Sequence, residues 1–146
     1  MKLKIINKLK YLLTELDIHG VNYVSWKNNH QLCSVMSGNG DIDLFVTLDD
    51  RSKFIDLCRA HDWIEVINPV SKHPWIAHFY RLGENLEAFH IHVYFKVITG
   101  ETWIKEYSIP FDAWMIKNRI RDSDHNIWVL NKYSQAYLFL IRHFLK

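Results

Sequence analysis

The sequence predicts a single mixed α+β domain that spans residues 1–146. Three observations lead to this fold class. Apolar residues recur at helical spacing near the start, acidic and apolar residues alternate at residues 41–47, and several short strand-like runs with turn residues follow. A chain of 146 residues is long enough to bury about two-thirds of its unfolded surface in one core.

The first half of the chain alternates between helix and strand. The first helix is indicated by leucines and isoleucines at helical spacing, and it ends at His19-Gly20. Asn28 and Asn29 follow the first strand, where either residue is a favoured cap for the next helix. The predicted elements are helix 2–18, strand 21–26, helix 29–36, strand 41–47 and helix 51–62.

The second half of the chain is richer in strands. Its predicted elements are strands 63–69, 75–82 and 86–97, an irregular segment 104–109, helix 111–118, a short apolar stretch 127–130 and helix 133–146. The last helix is apolar and has no capping glycine, proline or polar tail. Two interpretations stay open: the helix packs as the last element, or the chain is the N-terminal part of a longer protein with a C-terminal partner domain.

Composition narrows the function classes. The net charge of +2 gives no argument for a nucleic-acid partner, and the chain has no apolar run of about 18 residues that would span a membrane. Cys33 and Cys58 lack CxxC spacing, which predicts buried reduced thiols and a cytoplasmic protein. There is no Walker loop, dinucleotide fingerprint or Gly-x-Ser-x-Gly motif.

The acidic strand carries the strongest functional signal. Asp41 and Asp43 point to one face of the strand and the apolar residues between them point to the other. Two such charges about 5 Å apart repel by roughly 3 kcal/mol at an effective dielectric of about 20. They therefore need water, a raised pKa or a divalent cation between them. Gly40 lies in a glycine-rich lead-in that lets a phosphate approach the backbone, whereas a solvated strand end is the simpler interpretation.

A second polar face is expected on the strand 86–97. His90, His92 and Tyr94 alternate with apolar residues, so the two imidazoles are displayed side by side. This spacing is typical of metal ligands, although a histidine is often a satisfied structural residue. His73 and His78, in or near the preceding strand, are further candidates.

Four segments in order resemble a known family. They are Ser25-Trp26-Lys27-Asn28-Asn29, Gly40-Asp41-Ile42-Asp43-Leu44-Phe45-Val46, His90-Ile91-His92-Val93-Tyr94-Phe95 and Thr99-Gly100-Glu101. Together they resemble a poorly characterised bacterial group of nucleotidyltransferase-like proteins of the DNA polymerase β superfamily. The resemblance covers most of residues 20–110 and implies a short mixed β-sheet flanked by helices. Some members of the group form the N-terminal part of longer proteins, often encoded among cell-surface glycan genes.

The resemblance implies a metal-dependent nucleotidyltransferase, which moves a nucleotidyl group from an NTP to a hydroxyl acceptor on a small molecule, glycan or protein. Asp41 and Asp43 would hold Mg²⁺ or Mn²⁺ and act in catalysis, with His90 or His92 as a further ligand and His92 as the catalytic histidine. The residues expected to contact phosphate or substrate are Ser25, Lys27, Asn28 and Gly40. Lys27 is equally compatible with an exposed turn. The chain is expected to act as a homo-oligomer or beside a partner domain.

The sequence also departs from the family pattern. The usual Gly-Ser pair is absent, and His90-Ile91-His92 stands where the third carboxylate is expected. Imidazole is a poorer ligand for Mg²⁺ than carboxylate and suits Mn²⁺, Fe²⁺ or Zn²⁺ better. Glu101 is either the missing carboxylate or a loop acid. Two other functions therefore stay open: a catalytically degraded binding or assembly module in a cell-surface glycan pathway protein, and a metal-dependent phosphohydrolase.

Overall fold

A computed structural model describes residues 7–70, 72–101 and 104–145. These residues form a mixed α+β fold, as the sequence predicts. In chain order the helices and strands are α1 (Lys8–Ile18), β1 (Tyr23–Ser25), α2 (Leu32–Met36), β2 (Asp41–Val46), α3 (Arg51–Ala60), β3 (Ile64–Glu65), β4 (Ile76–Leu82), β5 (Ala88–Tyr94), β6 (Ile98–Thr99), β7 (Tyr107–Ser108), α4 (Asp112–Lys117), β8 (Arg119–Asp122), β9 (Ile127–Leu130) and α5 (Lys132–Phe144). Short 3₁₀ helices, Asn29–Gln31 and Leu48–Asp50, precede α2 and α3.

The main sheet has the strand order β3-β4-β5-β2-β1-β9-β8. The β2–β5 and β1–β9 pairs are parallel, and the other neighbours are antiparallel. The acidic strand β2 therefore lies in the middle of the sheet, with β5 on one side and β1 on the other. Strands β6 and β7 form a separate two-stranded pair.

Each face of the main sheet has its own hydrophobic cluster. On one face, the apolar side chains of β2, β4 and β5 pack with buried residues of α1, α2 and α3, such as Leu12 and Phe54. On the other face, Phe45 and Tyr94 pack with Met115 of α4 and Leu138 of α5. The acidic and histidine side chains belong to this second face, because strand side chains alternate. The end of this second face that holds the acidic and histidine side chains is therefore polar.

Several element boundaries differ from the sequence-based expectation. Strand β3 contains only Ile64–Glu65 of the predicted strand 63–69, and β5 ends at Tyr94. Strand β8 was not predicted because its charged residues lack an apolar alternation, and it pairs with β9 at the sheet edge. The segment 104–109, expected to be irregular, contains β7. The predicted start of the first helix, residues 2–6, lies outside the described residues.

The two cysteines have different environments. Both are free thiols, as expected, and Cys58 is buried on the inner face of α3. The prediction that Cys33 is buried is wrong, because its side chain lies on the outer side of α2 and is exposed. Among the described residues, no helix combines the length and the apolar character that a membrane crossing requires.

Candidate metal centre

Strand pairing brings the acidic and histidine residues together. In the parallel β2–β5 pair, Asp41 lies opposite His90 and Asp43 lies opposite His92. In the antiparallel β4–β5 pair, His78 lies opposite His92. Directly opposite residues on neighbouring strands point to the same face of a sheet. The three strands therefore present two carboxylates and three imidazoles on one face.

Asp41, Asp43 and His92 form a candidate metal-ligand group, called the metal-ligand group below. One ligand atom from each residue lies within 4.8 Å of the other two. The Nδ1 atom of His92 is 3.2 Å from Asp43 Oδ1 and 3.9 Å from Asp41 Oδ2. The Asp41 side chain is 43% exposed, whereas that of Asp43 is 5% exposed, so the group opens to solvent on the Asp41 side. Two carboxylates and one imidazole suit a divalent cation such as Mn²⁺, Fe²⁺ or Zn²⁺.

The buried carboxylate of Asp43 is surrounded by donors. Asn28 Nδ2 donates a hydrogen bond to Oδ2 at 3.2 Å, and the Lys27 ammonium lies 3.7 Å from Oδ1. Burial raises the pKa of Asp43. The hydrogen bond with His92 and the positive charges of Lys27 and Arg142 outweigh it, so the pKa lies below its usual range. Asp43 is therefore a buried, ionised carboxylate at neutral pH and a candidate metal ligand.

Lys27 is a buried part of the site rather than an exposed turn residue. Its side chain is only 8% exposed. The ammonium donates a hydrogen bond to the Tyr94 hydroxyl at 2.6 Å and lies 4.3 Å and 3.9 Å from the ring centres of Trp26 and Tyr94. Burial, followed by the Asp43 charge, raises the pKa of Tyr94, which keeps this phenol neutral. Two aromatic rings thus hold one positive charge beside Asp43.

The turn after β1 directs Asn28 toward Asp43. Ser25 and Asn29 close this turn, because the Ser25 hydroxyl donates to Asn29 Oδ1 at 2.6 Å and Asn29 Nδ2 donates to the Ser25 carbonyl at 3.0 Å. Asn28 has a left-handed backbone (φ 55°) and stands at the N-cap position, but its side chain does not cap the helix. Ser25 lies opposite Leu44 in the β1–β2 pair, on the other face from the carboxylates. Phosphate binding by Ser25 stays a prediction.

Gly40 precedes Asp41 with a φ of 109°, a conformation that side chains disfavour. Two residues earlier, a Cβ atom on Gly38 would lie 2.7 Å from the Cβ of Glu87, so only glycine fits there. These two glycines determine the backbone conformation of the turn that leads into β2. Contact between Gly40 and a phosphate stays a prediction.

His78 and His90 form a second imidazole contact next to the metal-ligand group. His78 Nδ1 lies 3.0 Å from His90 Nε2. The pKa of His78 falls to about 4, first because of burial and then because of the charges of His92 and His90. Burial also lowers the pKa of His90, which favours the neutral form of this ring. The sequence indicated His78 only as one of two further candidates, because it lies in or near the strand that precedes His90.

The remaining sequence candidates lie around this site. His73 lines a cleft of about 270 Å³ together with His78, His92, Lys72 and Lys105. A second cleft, of about 510 Å³, is bordered by Lys27, Asn28 and residues of α5 that include Arg142. Glu101 is exposed and is not part of the metal-ligand group, which agrees with a loop acid. The candidate centre therefore lies between two clefts.

Comparisons with protein-family models, curated proteins and solved structures give no match for this chain. Functional inference therefore depends on the geometry and chemistry of the site. The strongest feature of that geometry is the ligand group of Asp41, Asp43 and His92.

Proposed function

We propose that this protein is a metal-dependent nucleotidyltransferase that transfers a nucleotidyl group from an NTP to a hydroxyl acceptor. The single observation that supports the proposal most directly is the group of Asp41, Asp43 and His92, with ligand atoms within 4.8 Å of one another. The resemblance implies an Asp-x-Asp strand and a third ligand from a neighbouring strand. His92 on β5 occupies such a position, directly opposite Asp43.

Each residue of the site has a distinct part in this proposal. Asp41, Asp43 and His92 hold a divalent cation, which neutralises phosphate charge during transfer. Lys27 and Asn28 hold the Asp43 carboxylate in one orientation through contacts at 3.7 Å and 3.2 Å. The Arg142 side of the larger cleft supplies a positive charge for the NTP phosphates. The smaller cleft, lined by His78 and His92, receives the acceptor.

A specific observation favours a second candidate, a binding or assembly module that has lost catalysis. Both oxygens of Asp43 already have protein partners, because Oδ2 accepts from Asn28 while Oδ1 lies near His92 and Lys27. A carboxylate with this environment is stable without a cation. Such a module would bind nucleotide without turnover.

The test combines nucleotide binding with turnover. The purified chain is assayed with each of the four NTPs in Mg²⁺ or Mn²⁺ for its thermal midpoint and, with a panel of sugars, glycerol and a serine-containing peptide as hydroxyl acceptors, for pyrophosphate release. Asp41→Asn is the informative variant, because Asp41 is the most exposed ligand. Asp56→Asn, at an exposed site on α3, is the matched control. A ligand at about 100 times its Kd adds roughly 2.7 kcal/mol, or several degrees for a domain of this size.

The outcomes separate the candidate functions. A metal-dependent shift with one NTP and pyrophosphate release, both lost in Asp41→Asn and kept in Asp56→Asn, supports the nucleotidyltransferase. A shift without any release indicates the binding module. Phosphate release from simple esters without an NTP shift indicates a phosphohydrolase. No shift with any NTP in either metal contradicts the proposed function.

A further inference from the structure

We propose that His78 and His90 form a second metal site, distinct from the group of Asp41, Asp43 and His92, that binds a divalent transition metal such as Zn²⁺ through two imidazole nitrogens. This inference concerns the imidazole pair alone and goes beyond nucleotidyl transfer. Transition metals are its ligand class because imidazole is a preferred ligand of Zn²⁺, Cu²⁺ and Ni²⁺ and a poor one for Mg²⁺.

The separation of the two nitrogens fits one shared ion. His78 Nδ1 and His90 Nε2 are 3.0 Å apart. Two nitrogens that each lie about 2.1 Å from one metal, at an angle between octahedral and tetrahedral values, are about 3.0 to 3.4 Å from each other. For both lone pairs to point at one ion, each ring has to rotate out of the line of the present hydrogen bond while the nitrogens keep nearly this separation.

The two rings are held in place by their neighbours. His90 stacks on Tyr80 with ring centres 4.2 Å apart and planes 7° apart. His78 stacks on His92 with ring centres 4.4 Å apart. Rings that are already ordered lose little rotamer freedom when they bind an ion, so the stack makes binding more favourable.

The surroundings provide charge and access. Asp41 lies directly opposite His90, and its side chain is 43% exposed on the same face. This carboxylate lowers the electrostatic free energy of a cation at the pair. His78 lines the smaller cleft. With only two protein nitrogens as ligands, the ion keeps open positions toward the cleft for water or an anionic group.

Binding at the pair has a simple proton balance. In the metal-free protein, one imidazole donates its N–H to the other across the 3.0 Å contact. For both nitrogens to bind metal, the donor ring moves its proton to its other nitrogen through exchange with water. Both ligands stay neutral, and no oxidant or further reactant is needed.

The experiment measures how many Zn²⁺ ions the full chain binds, by calorimetry and by metal analysis after gel filtration. We expect two ions for the wild type, and one each for His78→Gln, His90→Gln and Asp43→Asn. His61→Gln removes a half-buried imidazole elsewhere, packed against Tyr11, and should keep two ions. Circular dichroism of each variant shows whether it remains folded.

A spectroscopic arm identifies the ligands directly. Asp43→Asn loaded with one equivalent of Cu²⁺ should give an EPR spectrum with hyperfine splitting from two nitrogens, and this splitting should disappear when His78→Gln is added. Unchanged Zn²⁺ binding in both folded histidine variants, or a Cu²⁺ spectrum without splitting from two nitrogens, would overturn the second site. The expected count of two ions depends on Zn²⁺ binding by Asp41, Asp43 and His92, whereas the loss of an ion in the histidine variants and the Cu²⁺ spectrum do not, so these two readouts test the pair even if the proposed function fails.

Discussion

Two mostly buried carboxylates lie near the two ends of strand β2, Asp43 inside the strand and Asp50 in the 3₁₀ helix that follows it, and they differ in their surroundings. Asp43, near the start of the strand, contacts Lys27, Asn28 and His92. Asp50, just after the end of the strand, accepts hydrogen bonds from the Asn22 backbone and side chain at 2.8 Å and 3.0 Å and from the Thr47 hydroxyl at 2.9 Å.

Both carboxyl groups have a pKa below the usual range, but different partners cause the two shifts. Burial raises the pKa of each one. Around Asp50, the hydrogen bonds from neutral Asn22 and Thr47 outweigh burial, with a smaller contribution from Lys53. Around Asp43, a histidine and the charges of Lys27 and Arg142 do so. Neutral donors that converge on one oxygen fix a turn, whereas cations beside an open ligand group compete with a metal ion. The difference distinguishes a structural carboxylate from a candidate metal ligand.

The largest expected effect is a loss of stability when the structural carboxylate of Asp50 is removed. Asp50→Ala removes the acceptor of three hydrogen bonds and leaves the Asn22 backbone N–H unpaired. We expect the free energy of unfolding to fall by about 3 kcal/mol, with a midpoint lower by roughly 6 to 12 °C. Urea and thermal unfolding measure the change. The control is Asp49→Ala at the neighbouring exposed position, which should change stability by less than about 0.5 kcal/mol. Equal effects of the two variants would refute the structural role of Asp50.

The next largest expected effect is a loss of metal affinity when Asp43 is replaced. Asp43→Asn keeps the shape of the side chain but removes a charged ligand. Since loss of an outer-shell partner alone costs about 10- to 100-fold in metal affinity, we expect Mn²⁺ to bind at least about 100-fold more weakly. Calorimetry measures the Kd. Asp50→Asn, the matched change at the structural carboxylate, should leave the Kd unchanged. A Kd for Asp43→Asn that equals the wild-type value would exclude Asp43 as a ligand.

A smaller effect is expected from the two lysines that accompany these carboxylates. Lys27 and Lys53 each lie 3.7 Å from their aspartate, so they form a matched pair. Lys27→Met removes a buried positive charge that repels a cation at Asp43, and we expect Mn²⁺ to bind about tenfold more tightly. Lys53→Met should not change the affinity. Weaker Mn²⁺ binding by folded Lys27→Met would show that Lys27 supports the metal site instead of opposing the cation.

The composition of the site was predictable from local sequence to a large extent. Alternation alone placed Asp41 with Asp43 and His90 with His92 on shared strand faces, and the pairing of β2 with β5 brought these two sets together. The 41 residues between the two strands, 47–87, carry no local signal for parallel pairing in this register. The position of His78 depends in turn on the β4–β5 register.

The environment of Lys27 was not predictable. A lysine after a short strand normally lies in solvent, and only the packing of Trp26 and Tyr94 around its ammonium buries it. Asn28 illustrates the same limit. Its residue type predicted a helix cap, but its left-handed backbone turns the side chain toward Asp43. Tertiary contacts overrode the local preference in both cases.

The smallest expected effect is a pH dependence at Asp50. Its pKa in the folded chain lies below the ordinary value of 3.8. Above that value both states are ionised, so the stabilisation by the ionised carboxylate is complete. As the pH falls below about 4, the unfolded chain binds the proton first and the free energy of unfolding decreases until the folded carboxyl group is also protonated. Asp50→Asn has no carboxyl group that titrates at this position. The difference in the free energy of unfolding between wild type and variant should therefore narrow on acidification.

Urea unfolding of both proteins between pH 7 and pH 3 measures this narrowing, with Asp49→Asn as the exposed control. A difference that stays constant over the whole range would mean that the ionised form of Asp50 has no advantage over a neutral amide. The neutral donors of Asn22 and Thr47 would then stabilise an amide as well as a carboxylate, because an amide oxygen accepts the same hydrogen bonds. Only Asp43, which faces positive charges, would then require ionisation, and the contrast between the two ends of β2 would become sharper.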